Sequence, residues 1–346
     1  MADELSLYGT LLGEQGGRVS RLLEGMLTCQ VTSALARLGV PDALAGGPLT
    51  ADEIAPRVGA SAGALRRLLA AAAAYGLVSQ DSQGRFALTE DGAVLRSDVD
   101  GSFRALAIGF FGPPMWASFG RIADVVRDPE PVNPAGPGGV FEYYAQHPQD
   151  AAWFAQGMGQ ATAILVSQLA KAGFRPLAGG RIVELGGSRG TLLSYLLQAV
   201  PDATGVLLDR PEALAAAPGY LAAAGVADRV ELVPGDFLRE VPPGDLHVLC
   251  HTLHNWDDEH ARAIIGNCAR ASHRGGGLMV IDQPLPDGPE PSVAHLMDLI
   301  MMLALGGRER TRAEHEALIG PAGYHLVRDT PVADVLPWRV LEFERG

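Results

Sequence analysis

Between residues 181 and 190 the chain reads Arg181-Ile182-Val183-Glu184-Leu185-Gly186-Gly187-Ser188-Arg189-Gly190, an apolar run closed by an acid and then by glycines. A second apolar run, Gly205-Val206-Leu207-Leu208, ends in Asp209 about twenty residues on. A strand, a tight turn into a helix and a second strand tipped by an acid make up the unit of a parallel α/β sheet. The two halves suit a nucleoside. Glycines let the backbone approach a ligand closely, and a carboxylate at the end of the next strand accepts ribose hydroxyls.

The spacing separates cofactor classes. Nicotinamide and flavin folds use G-x-G-x-x-G, whose middle glycine admits a pyrophosphate. Ser188 stands at that position here, and the glycines fall at Gly186, Gly187 and Gly190. The pattern points to a cofactor without phosphates, such as S-adenosylmethionine. Glycine-rich strand-to-helix turns also occur in many α/β proteins with other roles, so the turn alone leaves both readings open.

From Arg181 onward strands and helices alternate, with strands expected at 181–185, 204–209, 229–233, 245–251 and 278–282 and a last one near 338–344. Ligands of such sheets sit outside the carboxyl ends of the strands. There stand Glu184 and the glycines, Asp209, Asp236-Phe237, Cys250 to His254, and Asp282. An acid beside a ring suits an adenine, the carboxylate accepting from the exocyclic amine and the ring stacking on the base. Gly-Asp is otherwise a common turn. His254 carries the side chain best matched to proton transfer near neutrality, against the plainer role of a capping or buried histidine. His251 and His254 lack a third ligand at zinc spacing, so no metal is expected. Asp257 or Asp258 caps the next helix.

Residues 19–45 show helical periodicity, with Leu22, Leu23, Met26, Leu27 and Val31 along one face, broken at Leu38-Gly39-Val40-Pro41. Thr50-Ala51-Asp52-Glu53 is a capping box. A helix from Ala62 to Tyr75 ends at Gly76, and two short strands, 77–79 and 85–89, complete a winged helix. Winged helices often read DNA, yet this helix offers only Arg66 and Arg67, and the net charge is −13, so no nucleic-acid partner is expected. Residues 101–170 are mostly helical, interrupted by a Pro/Gly-rich loop from Pro129 to Gly139. Their aromatic residues, among them Phe110, Trp116, Tyr144 and Trp153, are core or the lining of a pocket for a flat substrate. Three scattered cysteines write no disulfide framework. No signal peptide or membrane-spanning stretch is visible, and a cytoplasmic protein is expected.

These residues together resemble the plant-type small-molecule O-methyltransferases and their bacterial relatives that act on aromatic natural products, over nearly the full length. Leu253-His254-Asn255-Trp256-Asp257-Asp258 is similar to the family's Leu-His-Asp/Asn-Trp-x-Asp, and Gly306-Gly307-Arg308-Glu309-Arg310-Thr311 to its Gly-Gly-x-Glu-Arg-Thr. The resemblance implies a winged-helix dimerisation domain over 1–100, a helical connector over 101–175 and a Rossmann-like, S-adenosylmethionine-binding methyltransferase domain over 176–346. It implies His254 as general base, flanked by Asp282 and Glu309. It also implies Glu184, Gly186, Gly187, Gly190, Asp209, Asp236, Phe237 and Cys250 at the cofactor, and a homodimer. Phe154 and Met158 match a Phe-x-x-x-Met pair lining the methyl-transfer site; by spacing alone they are an ordinary helical core pair. Two departures stand out. Ser188 and the bulky Arg189 replace the usual loop residues, and Asp282 stands where plant members carry glutamate.

The expected activity is S-adenosylmethionine-dependent O-methylation of a phenolic hydroxyl on a small aromatic metabolite. One alternative is non-methylating chemistry such as hydroxylation on the same fold, whose representatives often lose the histidine. Another is a winged-helix regulator that senses S-adenosylmethionine, which the acidic charge opposes.

Overall fold

The computed structural model describes residues 13–99, 101–129, 140–332 and 337–346. Two compact units emerge, one drawn from 1–116 with 147–160 and the other from 117–146 with 161–346.

In the first unit α1 (Gly13–Leu38) stops at Gly39, whose φ of 72° ends the helix before α2 (Val40–Ala43). The break falls where Leu38-Gly39-Val40-Pro41 implies it, and the first helix begins earlier than residue 19. Then come β1 (Leu49–Thr50), α3 (Ala51–Val58), α4 (Ala62–Ala74), β2 (Val78–Gln80), β3 (Arg85–Leu88) and α5 (Glu90–Ala93). The three strands pair antiparallel in the order β1-β3-β2. Thr50 and Glu53 close the expected capping box on α3. Leu35, Ile54, Leu65, Leu69 and Phe86 fill the core of this winged helix. Val19, Leu22, Leu23 and Met26 of α1 take no part in it: Leu22 is 80% exposed and Leu23 72% in the single chain. After α5 follow α6 (Arg104–Gly109) and α7 (Pro113–Phe119).

The second unit starts with α8 (Ile122–Arg127) and α9 (Val140–Gln146); the Pro/Gly-rich loop beyond Pro129 lies outside the described residues. Next is α10 (Pro148–Lys171), whose later residues belong here and whose earlier ones belong to the first unit. Then run β4 (Arg181–Leu185), α11 (Thr191–Ala199), β5 (Thr204–Asp209), α12 (Ala217–Ala223), β6 (Val230–Pro234), β7 (Gly244–Cys250) and α13 (Asp258–Ala271). The chain continues through β8 (Ser272–Asp282), α14 (Val293–Leu305), α15 (Arg312–Ile319), β9 (Tyr324–Pro331) and β10 (Arg339–Arg345).

Seven strands form one sheet in the order β6-β5-β4-β7-β8-β10-β9, parallel except for β10, which runs antiparallel to both neighbours. The central strands are continuous apolar runs because both faces are covered. Leu192, Leu193, Leu196 and Leu197 of α11 pack one face, and Ile264, Ile265 and Cys268 of α13 the other. The chain leaves β4 in one direction and β7 in the other, so a crevice opens at their carboxyl ends. Two strands differ from expectation. β8 starts at Ser272, through a glycine-rich stretch that reads as a turn, and β9 was not foreseen at all. As an edge strand β9 carries His325, Arg328 and Asp329 and ends in Pro331, the polar pattern that blunts a sheet edge and hides it from hydropathy. No helix among the described residues is long and apolar enough to cross a membrane.

Candidate active site

At the tip of β4 the chain turns through Gly186, Gly187, Ser188 and Arg189 to Gly190, the N-cap of α11. Glu184 lies beneath this turn. It is 2% exposed, and its Oε2 accepts from the Leu193 amide at 3.1 Å, satisfying the amide at the third position of α11. A Cβ on Gly187 would fall 2.3 Å from the Glu184 carboxyl carbon, so that glycine lets the loop close over the acid. Burial pushes the Glu184 carboxyl up to about 8, against the pull of the Leu193 amide, with the Asp209 charge adding to the rise. Glu184 thus supports the loop from below, a role the residue pattern had not separated from a direct cofactor contact.

Ser188 has a φ of 53°, the left-handed region a glycine adopts freely. Its amide donates to Asp209 Oδ2 at 2.9 Å, and Oδ1 of the same carboxylate accepts from the Arg210 amide at 2.8 Å. The strand-end acid therefore holds the strained residue of the loop. Arg189 folds back onto Thr191 and over the Tyr220 ring, 4.6 Å from its centroid. At the next strand end Asp236 accepts from the Leu238 amide at 2.9 Å, and Asn267 donates to the Phe237 carbonyl at 2.8 Å. The Phe237 ring comes within 3.6 Å of where a Cβ on Gly186 would stand, and meets Trp256 edge-on at 6.2 Å.

Beyond Cys250 the chain enters a short 3-10 turn, Leu253–Asn255. Burial pushes the Cys250 thiol well above its usual range, with Glu184 and Asp282 adding to it, so the sulfur stays protonated. His251 takes a φ of 49° and donates its amide to the Ile281 carbonyl at 2.9 Å. Its ring stacks on His254, centroids 5.6 Å apart and planes within 20°. Burial first, and then the His254 charge, pull the His251 imidazole down to about 4. Thr252 Oγ1 donates to the Leu185 carbonyl at 3.1 Å, tying this turn to the glycine loop.

His254 is 7% exposed. Its Nδ1 lies 2.7 Å from Glu309 Oε1. A carboxylate only accepts, so Nδ1 carries the hydrogen and Nε2 presents the lone pair. Burial disfavours the imidazolium, but the Glu309 bond and the Glu309 and Asp282 charges outweigh it and leave His254 raised above its ordinary value. Of the two flanking acids, Glu309 is therefore the one bonded to the ring. Asp282, at the end of β8, meets His315 of α15 instead, Oδ2 to Nε2 at 3.4 Å.

Two neighbours of Glu309 hold the backbone of the histidine turn. Arg310, 1% exposed, donates to the carbonyls of Leu253 at 3.0 Å and Trp256 at 2.9 Å, and pairs with Asp258 at 2.8 Å. Gly307 packs against the same turn, and the Glu309 amide is anchored on Asp298 of α14 at 2.8 Å. Asp257 caps α13, accepting from the His260 amide at 2.9 Å. The roles of Arg310, His315 and the stacked His251 escaped sequence reasoning; a charged residue in a polar hexapeptide gives no sign that it will be buried. Phe154 and Met158 lie one turn apart and half-buried on α10, in the first unit.

Comparison with known proteins gives this geometry a relationship. Residues 119–325 match the O-methyltransferase domain family and residues 20–98 the O-methyltransferase dimerisation domain. The phenazine O-methyltransferase PhzM of Lysobacter antibioticus is 34% identical over 91% of this chain and 93% of its own length. The 8-amino-8-demethylriboflavin N,N-dimethyltransferase of Streptomyces davaonensis is 32% identical over 90% of each. Among solved structures, the O-methyltransferase NcsB1 from neocarzinostatin biosynthesis, in complex with S-adenosylmethionine and 2-hydroxy-5-methyl naphthoic acid, superposes with a TM-score of 0.79 at 32% identity, covering 92% of this chain and 96% of that one. With the family matched across more than half its residues and the winged helix matched separately, the chain belongs to the O-methyltransferase family and carries that family's dimerisation domain.

Proposed function

We propose that this enzyme transfers the methyl group of S-adenosylmethionine to a phenolic hydroxyl of a small aromatic or polyketide-type metabolite, with His254 as general base. The observation that carries the reading is the 2.7 Å contact between His254 Nδ1 and Glu309, which leaves Nε2 as the basic nitrogen. The sheet edge fits the cofactor. The glycine loop, the Phe237 ring beside Gly186 and the Asp209 carboxylate at the tip of β5 border one region, and the serine at position 188 suits a nucleoside without pyrophosphate.

When bound, S-adenosylmethionine supplies an electrophilic methyl on a sulfonium. A phenol with a pKa of about 10 is a weak nucleophile at neutral pH. His254 Nε2 takes its proton as the oxygen attacks, and Glu309 steadies the imidazolium that results. Proton transfer of this kind contributes ~10²–10⁴ in rate; holding the oxygen in line contributes much of the rest. Gly186, Gly187, Gly190, Asp236 and Cys250 complete the cofactor side of the reading, and Phe154 and Met158 its acceptor side.

The same proposal assigns residues 1–100 to dimerisation, 101–175 to a helical connector and 176–346 to the methyltransferase domain. A homodimer would cover the exposed apolar stripe of α1. The surroundings would be cytoplasmic, in keeping with three cysteines that are all free.

Mass spectrometry of a panel of phenols, aromatic amines and aromatic acids incubated with enzyme and S-adenosylmethionine tests the function. A phenol gaining one methylene unit supports it; gain only on nitrogen would favour the second reading, N-methylation, which the similarity to a dimethyltransferase keeps in view. Oxygen insertion would point to hydroxylation, although the retained histidine favours methyl transfer. A gel shift with duplex DNA would point to a regulator, against the net charge of −13.

A further inference from the structure

Asn267 is a polar residue in an apolar place. It is 5% exposed on α13, where the other buried residues are Ala261, Ile264, Ile265, Cys268 and Ala269. Asparagine is a poor helix former, and a buried amide is costly unless its groups are bonded. Here both ends are engaged. Arg270, three residues on, donates to Asn267 Oδ1. A guanidinium only donates, so the atom it meets is the oxygen, and Nδ2 is the atom that faces the Phe237 carbonyl at 2.8 Å.

The carbonyl that Asn267 holds belongs to the turn after β6. Gly235 ties the start of that turn to β5, its amide donating to the Asp209 carbonyl at 3.0 Å. Asp236 then folds the chain over itself. Its Oδ1 accepts from the Leu238 amide at 2.9 Å, and its carbonyl accepts from the Arg239 amide at 2.9 Å and the Glu240 amide at 3.1 Å. Its Oδ2 lies 3.4 Å from Arg239, whose side chain is 88% exposed, and a surface pair of that kind holds an acid only loosely. These bonds shape the turn from within or tie it to β5, and none of them fixes it against α13. Asn267 supplies that tie, from 30 residues away. The Phe237 ring carried by the same turn stands beside Gly186 and edge-on to Trp256. We propose that Asn267 is a positioning residue for base recognition: by holding the Phe237 carbonyl it fixes the turn that presents Asp236, and so sets how strongly the cofactor site prefers adenine. Arg270 keeps the amide turned the right way.

The inference rests on the reading of Asp236 and Phe237 as the adenine edge, and its test needs no turnover. Calorimetry on the full chain compares S-adenosylhomocysteine with its deaminated analogue S-inosylhomocysteine, in which an oxygen replaces the exocyclic amine. A carboxylate only accepts, so the parent should bind the adenine form tighter by about tenfold or more. Asn267→Leu keeps the branching of the side chain and suits an apolar helix face, but it leaves the Phe237 carbonyl without its donor. The adenine form should then bind about three- to tenfold more weakly and the deaminated form lose clearly less, so that the preference falls by about threefold or more. A general loosening of the fold would weaken both ligands alike. Equal losses therefore overturn the proposal, and so does unchanged binding of both. Should Asn267→Leu not fold, Arg270→Met at an exposed position decides, because it frees the amide to turn. There the preference should fall by about twofold or more, and a preference equal to the parent's overturns the proposal. A parent with no preference would instead overturn the adenine reading, and this proposal with it.

Discussion

Gly307 lies so close to the histidine turn that a Cβ built on it would fall 2.1 Å from the carbonyl oxygen of His254. No side chain fits there without moving the turn. The glycine after α14 therefore fixes how far the base stands from the sheet, while Glu309 two residues on fixes which way its ring faces.

Gly307→Ala should accordingly displace His254 by the width of a methyl group. The expected result is a folded protein destabilised by ~1–3 kcal/mol, as for other overpacked sites. Its kcat should fall tenfold or more, because a misplacement of about 1 Å can cost ~10²-fold, with cofactor affinity almost unchanged. Steady-state kinetics and a thermal melt measure both, and full turnover in the variant would show that the turn tolerates the shift.

His254→Ala separates binding from chemistry. Methyl transfer should drop by ~10²-fold or more while S-adenosylmethionine affinity stays within a few-fold. The loss should shrink along a series of phenols of falling pKa, since an ionised phenolate needs no base. A flat dependence on acceptor pKa would assign the rate to positioning alone.

Asp209→Ala tests the cofactor edge. Its carboxylate holds the Ser188 amide and is assigned to the ribose, so S-adenosylmethionine binding should weaken by roughly 1–3 kcal/mol. Calorimetry reads this directly. NAD should bind neither form, and tight NAD binding would overturn the cofactor class.

Glu184 gives a pH signature. Its carboxyl titrates at about 8 in the folded chain, because it is buried, and near 4.3 when unfolded. A raised folded value means that the protonated acid stabilises the fold. That contribution is complete below the unfolded value and is lost as pH climbs through the folded one. Glu184→Gln keeps an acceptor for the Leu193 amide but cannot ionise. Thermal unfolding without cofactor, between about pH 5 and pH 9, should show parent and variant diverging toward the alkaline end, with the variant the more stable. Parallel curves would mean that Glu184 finds a compensating donor.

Much of this was legible in the residues. β4, β5 and β7 announce themselves as apolar runs that end in an acid or a cysteine, because buried parallel strands must be apolar on both faces. The Thr50–Glu53 box, and a cap at Asp257 or Asp258 that falls to Asp257, were readable because capping is local chemistry. β9 was not, since an edge strand hides its periodicity behind charges. The resemblance named Glu309 and Asp282 together as partners of His254. Which of them touches the ring depends on how the loop after α14 packs, and residues 55 apart carry no local trace of that contact. His315 was invisible for the same reason: its partner Asp282 comes from another element, 33 residues away.

The hydrogen bond from Ser188 to Asp209 also limits how this protein can be redesigned. Loop 186–190 and the tip of β5 are one mechanical part, the acid acting as the clasp that keeps a serine in a glycine's conformation. The dependence runs one way: a glycine at position 188 keeps the amide donor and needs no clasp, whereas Ser188 grafted beside a strand end that lacks the acid would lose it. Recombination between such enzymes should therefore succeed when crossovers carry residues 186–209 as a block, and yield weak cofactor binders when they pair Ser188 with a strand end that lacks the acid.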